Sequence, residues 1–441
     1  MKAKKITSLA LSAVMAAGAM SGMATTVMAD EEQTLKLAVV ETAYGQDMWK
    51  NVCAKFEEAN PGVKVELTID KKLEDIITPA MKSGDYPDVI MRAVGSESAL
   101  TETFVKDNNV EEMTDVLEMT VPGEDVTVKD KILPGFVDNS ITNPYGDGKT
   151  YLMPMFYGPC GLFYNKGLFE EKGWEVPETW DEMWELGEKA KEEDIALFTY
   201  PTAGYFDAFF YALLHETAGA ETFQEALKYG EGVWETDGAK KTFEIIEKLA
   251  SYTEKTTPAN ANDNDFRKNQ QLILDNKALF MPNGNWVIGE MAASTPDDFE
   301  WGMMPAPKWE GDETQAVYTF TEQMWIPADA PNMDLAKEFI KFMYSDTVVD
   351  ILLGNTTTDE ETGEESPSPV VAPVKGAADK LPEGTTKDCY AATTADDIVT
   401  VTGKWATTAP IEGLNMNEAT YKPIESINTG DMTVEEWQAQ L

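Results

Sequence analysis

The sequence predicts an α/β protein of two lobes, each a mostly parallel sheet flanked by helices. Three observations carry this. A chain of 441 residues exceeds what one hydrophobic core normally fills. Its early segments alternate strand-like and helix-like periodicity, the pattern of parallel strands joined by helical crossovers. A hydrophobic content of 43% supplies enough apolar surface to fold without metals or disulfides.

The first residues, "MKAKKITSLALSAVMAAGAMSGMATTVMADEE", set Lys2, Lys4 and Lys5 before an uncharged run that ends in the small-residue pattern "VMA". This predicts a secretory signal over residues 1–29, cleaved near Ala29, and an extracytoplasmic protein. The rival is a membrane anchor, since Ile6 to Met28 carry no charge, but Gly, Ser and Thr dilute the run. No cysteine lies near the cut to carry a lipid.

"TLKLAVVE" (34–41) reads as a strand and "DMWKNVCAKFEEAN" as an amphipathic helix. "PGVKVELTID" alternates as a second strand, "KLEDIITPAMKSG" is a helix stopped at Gly84, and "YPDVIM" is a short buried strand. Ligands of such sheets bind in the crevice beyond the strand C-termini, where "RAVGSESAL" falls. Farther on, "GLFYN" reads as a strand, "KGLFEEKG" as a short helix closed by Gly173, and "VPETWDEMWELGEKAKEED" as a longer helix. Thr179 and Glu182 have the spacing of a capping box, with Met183, Leu186 and Ala190 on the buried stripe. Residues 354–388 break every periodicity and read as an irregular acidic surface excursion.

The formal net charge of −43 excludes nucleic acid as a partner, and its spread over surface helices points to solubility. Cys53, Cys160 and Cys389 form no CxxC pair; an oxidising compartment leaves one disulfide open to them, with no connectivity readable from the sequence, and buried free thiols are the favoured reading. The single histidine, His215, sits in apolar "FFYALLHETAG", leaving little for a histidine triad or zinc site, and no cofactor is expected.

The stretch "GLFYNKGLFEEKGWEVPETWDEM" resembles a recurrent segment of bacterial extracellular solute-binding proteins of the carbohydrate ABC transporter class, the maltose-binding-protein-like family. "FEEANPGVKVEL", "YPDVIM", "NKALFMPNGNWVIGEM" and "NMDLAKEFIKFMYS" resemble further family segments, in order over roughly residues 33–345. The resemblance implies two lobes joined by a hinge crossed near Tyr157 to Cys160, Asp312 to Thr319 and Ala391 to Lys404. Lobe one is then 30–157 plus 318–395, with the 354–388 excursion inside it, and lobe two 158–317 plus 396–441. It implies a carbohydrate ligand, membrane permease subunits as partners and a monomer.

Sugars present apolar faces and rings of hydroxyls, so their sites combine aromatic platforms with polar side chains. By the resemblance, Trp286 in "NGNW" matches the family's stacking tryptophan, with Asn283 and Asn285 beside it, and Tyr205 and Phe206 correspond to a sugar-contacting aromatic. The loops after the first and third strands bring Tyr44, Gln46, Arg92, Ser96 and Glu97; Glu322 interrupts an apolar strand, and Trp405 offers a second platform. Asp88 reads as a strand-end organiser. The alternatives are a secreted glycosidase, which needs paired carboxylates across the sugar, or a non-catalytic lectin. "FTYPTAGYFDAFFYALL" resembles family members that bind N-acetylglucosamine or chitobiose.

Overall fold

The computed structural model describes residues 33–42, 44–96, 98–262, 264–309, 314–358, 365–395, 397–405 and 416–441. The expected signal segment, 1–29, with its expected cleavage near Ala29, lies outside the described residues. The strands are β1 (Gln33–Val40), β2 (Val63–Asp70), β3 (Val89–Met91), β4 (Met153–Asn165), β5 (Ala196–Phe198), β6 (Ala278–Gly284), β7 (Trp301–Met304), β8 (Gln315–Trp325), β9 (Thr356–Thr358), β10 (Glu365–Pro367) and β11 (Ile398–Val401). Apart from the β9/β10 hairpin they form one sheet in the order β2-β1-β3-β8-β4-β6-β5, with β11 beside β8 and β7 beside β4.

The flanks are parallel: β1 pairs with β2 and β3, and β5 with β6. Helices Asp47–Ala59 and Leu73–Lys82 supply the crossovers. The first buries Met48, Trp49, Val52 and Phe56 on one face, the second Leu73, Ile77 and Met81 at intervals of four. The middle is antiparallel, where β4 and β8 run against each other.

These two long strands thread two separate hydrophobic cores. Met153 to Tyr157 of β4 pack in a first core with β1, β3, Met324, Trp325 and helix Met333–Phe342. Cys160, Leu162 and Tyr164 of the same strand pack in a second core with helices Asp207–Leu227 and Asp237–Ser251. β8 makes the return passage, Ala316 and Tyr318 in the second core and Met324 in the first. The chain passes once more between Tyr390 in the first core and Val401 in the second. A third cluster, including Phe163, Met281 and Trp301, covers the opposite face of β4 and β6.

The reading of 354–388 as a surface excursion needs correction. The hairpin β9/β10 is largely exposed, but Val370, Val371, Ala372 and Val374 are buried in the first core. Tyr157 donates its amide to the Val371 carbonyl and Leu133 donates to Pro373, so this irregular segment satisfies backbone groups that a sheet would otherwise pair.

The capping box at Trp180–Glu192 forms: Thr179 Oγ1 accepts from the Glu182 amide at 3.3 Å, and the Glu182 carboxylate accepts from the Thr179 amide at 3.1 Å. Gly173 closes the preceding helix with φ 64°, a left-handed conformation that favours glycine. The three cysteines are free and buried. His215 is half-buried and meets the Phe223 ring edge-on.

Candidate ligand-binding cleft

Where β4 and β8 pass between the two cores, they floor a cavity of about 390 Å³. Its walls come from the loop after β1 (Thr42, Tyr44), from β4 (Phe156, Tyr157, Gly158), from β8 (Phe320, Glu322) and from the turn after β6 (Trp286). The last wall is the start of helix Asp207–Leu227 and the 3-10 turn before it, with Thr202, Gly204, Tyr205 and Asp207. The surface is thus chiefly aromatic, with a few polar groups.

Trp286 is half-buried and meets Phe320 at 6.1 Å with the rings at 80°. Two strand glycines make room for it. A Cβ on Gly284 would lie 2.1 Å from its ring, and one on Gly158 would lie 3.3 Å from the ring and 2.7 Å from Asn285 Oδ1. The flanking amides do not present this ring. Asn283 is fully buried, its Oδ1 accepting from the Gly284 amide, while Asn285 binds Pro159 O through its backbone and Tyr390 Oη through Nδ2. They hold the turn against β4. Asn285 Oδ1 is buried without a partner among the described residues.

Beside Trp286, Tyr205 stacks on Phe266 at 6.0 Å and donates its hydroxyl to Glu290 Oε1 at 3.2 Å, while Gln270 Nε2 donates to Glu290 Oε2 at 2.8 Å. Burial pushes both the Tyr205 hydroxyl and the Glu290 carboxyl above their ordinary ranges. Tyr44 meets Phe156 edge-on at 5.8 Å, and its carbonyl accepts from Asn355 Nδ2.

Two carboxyls reach the cavity. Asp207 is bonded to Lys404 Nζ at 2.9 Å, and Lys404 also lies within 5.2 to 5.7 Å of the rings of Tyr211, Tyr318 and Phe320. Burial opposes the Lys404 charge, but Asp207 more than offsets it and raises its pKa. Glu322 faces Phe156 across the β4/β8 ladder. Burial pushes its carboxyl up to about 7, against the pull of Arg92 and the Ala93 amide. Its Oε2 is buried and has no hydrogen-bond partner among the described residues.

Of the residues expected at the ligand, the fold therefore brings together Trp286, Tyr205, Glu322 and Tyr44. Phe206 is not among them: it is fully buried in the second core against Phe198 and Phe209, because neighbours on a 3-10 turn point about 120° apart. Trp405 is likewise core rather than platform, 8% exposed and packed on Tyr211 and Trp234. Arg92 does not line the cavity. It pairs with Glu74 at 2.6 Å and acts on Glu322 through space. Glu97 lies outside the described residues. Gln46 is engaged by Glu41, and Ser96 by Ser98. Asp88 ties Lys36 N and Asn332 N at the strand end. Phe156, Tyr157, Phe320 and Asp207 line the cavity without having been singled out. Among the described residues no group of His, Cys, Asp and Glu could hold a metal ion, and no helix is long and apolar enough to cross a membrane.

The sequence model of the bacterial extracellular solute-binding protein family matches residues 39–350. The chain is 24% identical over 310 residues to the diacetylchitobiose binding protein NgcE of Streptomyces coelicolor, a match covering 70% of this chain and 62% of NgcE. It is 24% identical over 310 residues to the multiple sugar-binding protein of Streptococcus mutans, covering 67% of each. In structure it is similar to the bacterial solute receptor AcbH, with a TM-score of 0.69 and 17% identity, covering 93% of this chain and 97% of that one. AcbH is described as having an exclusive preference for β-D-galactopyranose.

Proposed function

This chain belongs to the bacterial extracellular solute-binding proteins, and from that premise we propose that it is the extracytoplasmic substrate-binding component of a carbohydrate ABC transporter. In this reading it is a secreted monomer that captures a sugar in the cleft and presents it to membrane permease subunits. The observation that carries the reading is the cavity itself: Tyr44, Tyr205 and Trp286 offer apolar ring faces, while Glu322 Oε2 is a buried acceptor awaiting a donor. A pyranose supplies both complements, C–H faces for the rings and hydroxyls for the unpaired oxygen.

The reading includes two lobes, 30–157 plus 318–395 and 158–317 plus 396–441, closing on the ligand about the passages of β4, β8 and the segment between Tyr390 and Val401. Two carboxyls beside a sugar would also suit a glycosidase. Here Asp207 is neutralised by Lys404, and both acids are assigned to binding.

Relatives named for diacetylchitobiose, maltotriose and raffinose set the ligand panel. Thermal-shift screening against these sugars and N-acetylglucosamine tests the reading, because a ligand bound to the folded state raises the melting temperature as its concentration exceeds Kd. At least one should do so without product release. A flat response across the panel, or hydrolysis, would overturn it.

A further inference from the structure

Resting on that reading, we propose that the cleft selects uncharged glycans over those bearing a carboxylate, and that Glu322 is the residue that sets this choice. The carboxyls reaching the cavity are Asp207 and Glu322, and among the described residues no Lys, Arg or His lines it. The nearest cations are already engaged, Lys404 by Asp207 at 2.9 Å and Arg92 by Glu74 at 2.6 Å. A uronate seated against these rings would find no counter-charge among the described lining residues, and Tyr44, Phe156 and Trp286 would shield it from part of the solvent.

Glu322 is one of the residues lining this surface. Its backbone is held in the β4/β8 ladder opposite Phe156, and its Oε2 is buried. The groups facing it are Arg92 and the Ala93 amide from the loop after β3, Tyr44 from the loop after β1, and Asp207 with Lys404 across the cavity. None gives Oε2 a hydrogen bond. A neutral sugar can pair with that oxygen in either protonation state, giving a hydroxyl proton to the carboxylate or accepting one from the acid. An anionic sugar can do so only when Glu322 is protonated. Two carboxylates in one low-dielectric site repel, whereas a carboxylic acid can share its proton with a carboxylate. Because burial holds the Glu322 carboxyl near 7, the discrimination acquires a pH dependence: strong above that value, weakening below it.

The test pairs a neutral glycan with its own acid. N,N′-diacetylchitobiose and maltotriose are each titrated calorimetrically beside the same sugar oxidised at C6 to the uronate, with wild-type protein and Glu322→Gln, at about pH 5 and about pH 8. We expect the neutral sugar that binds to be favoured by roughly 100-fold at about pH 8, the order that like charges impose at close range. The ratio should shrink by about 10-fold at about pH 5, and by a similar factor in Glu322→Gln at the higher pH, through a gain in uronate affinity. A gain of that kind does not come from a merely structural role. A uronate binding within about 3-fold of its neutral parent in the wild type, or a ratio indifferent to both pH and Glu322→Gln, overturns the proposal. Should the variant fail to fold, the wild-type pH series alone decides. If neither neutral sugar binds, it is the reading of the cleft as a sugar site that fails, a result distinct from equal binding of both forms.

Discussion

Replacing Glu322 by glutamine should stabilise this protein by an amount that grows as pH rises from about 4.5 to about 7 and is constant above that. An unfolded glutamic acid titrates near 4.5, but burial raises this carboxyl to about 7 in the fold. Below the lower value both states hold the proton and the acid costs nothing. Between the two values the unfolded chain releases its proton while the folded protein keeps it, so stability falls as pH rises. Above about 7 the carboxylate must be carried, ionised, among Tyr44, Phe156 and the other rings of the cleft. At about 1.4 kcal/mol per pH unit the full cost is about 3 kcal/mol. Glutamine has nearly the same shape and no charge to bury, so Glu322→Gln should recover most of that amount. Equilibrium urea unfolding of both proteins measures it: the variant should gain about 2 to 3 kcal/mol at about pH 8.5 and close to nothing at about pH 4.5. Equal stability at the higher pH, or a gain of the same size at both, would refute the assignment of Glu322 as a buried, reluctantly ionised acid. A site residue that costs stability is a familiar consequence of keeping a binding pocket unsatisfied until its ligand arrives.

Three further outcomes follow from the packing. Thr179→Ala removes one half of the capping box and should lower stability by about 1 kcal/mol in urea melts, with sugar affinity unchanged because the cap is scaffold. Gly284→Ala would bring a methyl to 2.1 Å from the Trp286 ring, so the ring must move; calorimetry should report a roughly 10-fold weaker sugar complex, and unaltered binding would show that the ring position is irrelevant. Trp405→Ala empties a site beside Tyr211 and Trp234 and should cost about 3 to 5 kcal/mol of stability, a loss that thermal unfolding without ligand detects; a fully stable variant would contradict its core placement.

Much of the fold was legible because its signals are local. The β1 to β3 region carries period-two and period-3.6 patterns within single elements, and the Thr179 cap is written in four consecutive residues. The run Val370–Val374 escaped because Pro369 before it and Pro373 within it leave a stretch too short for any period, and its backbone is tied to Leu133 and Tyr157 far away in sequence. The cleft was legible only in part for the same reason. Tyr205 and Phe206 are adjacent aromatics, and nothing local says which faces the cavity and which the core. Asp207 reads as an ordinary helix-start acid until Lys404, 197 residues away, is brought against it. Phe320 and Phe156 look like any strand interior; they line a site because β4 and β8 leave one core and enter another at those positions.

We propose the aromatic cleft between the two cores as the place where the sugar sits, with Trp286 as its platform. Calorimetric titration of wild-type, Trp286→Ala and Trp286→Phe proteins, with whichever of N,N′-diacetylchitobiose, maltotriose or raffinose raises the melting temperature, tests it most directly. Loss of the ring should weaken binding about 10- to 100-fold, roughly 1.4 to 2.8 kcal/mol, with the phenylalanine variant between alanine and wild type. A folded Trp286→Ala protein that binds its sugar as tightly as the wild type would contradict the account.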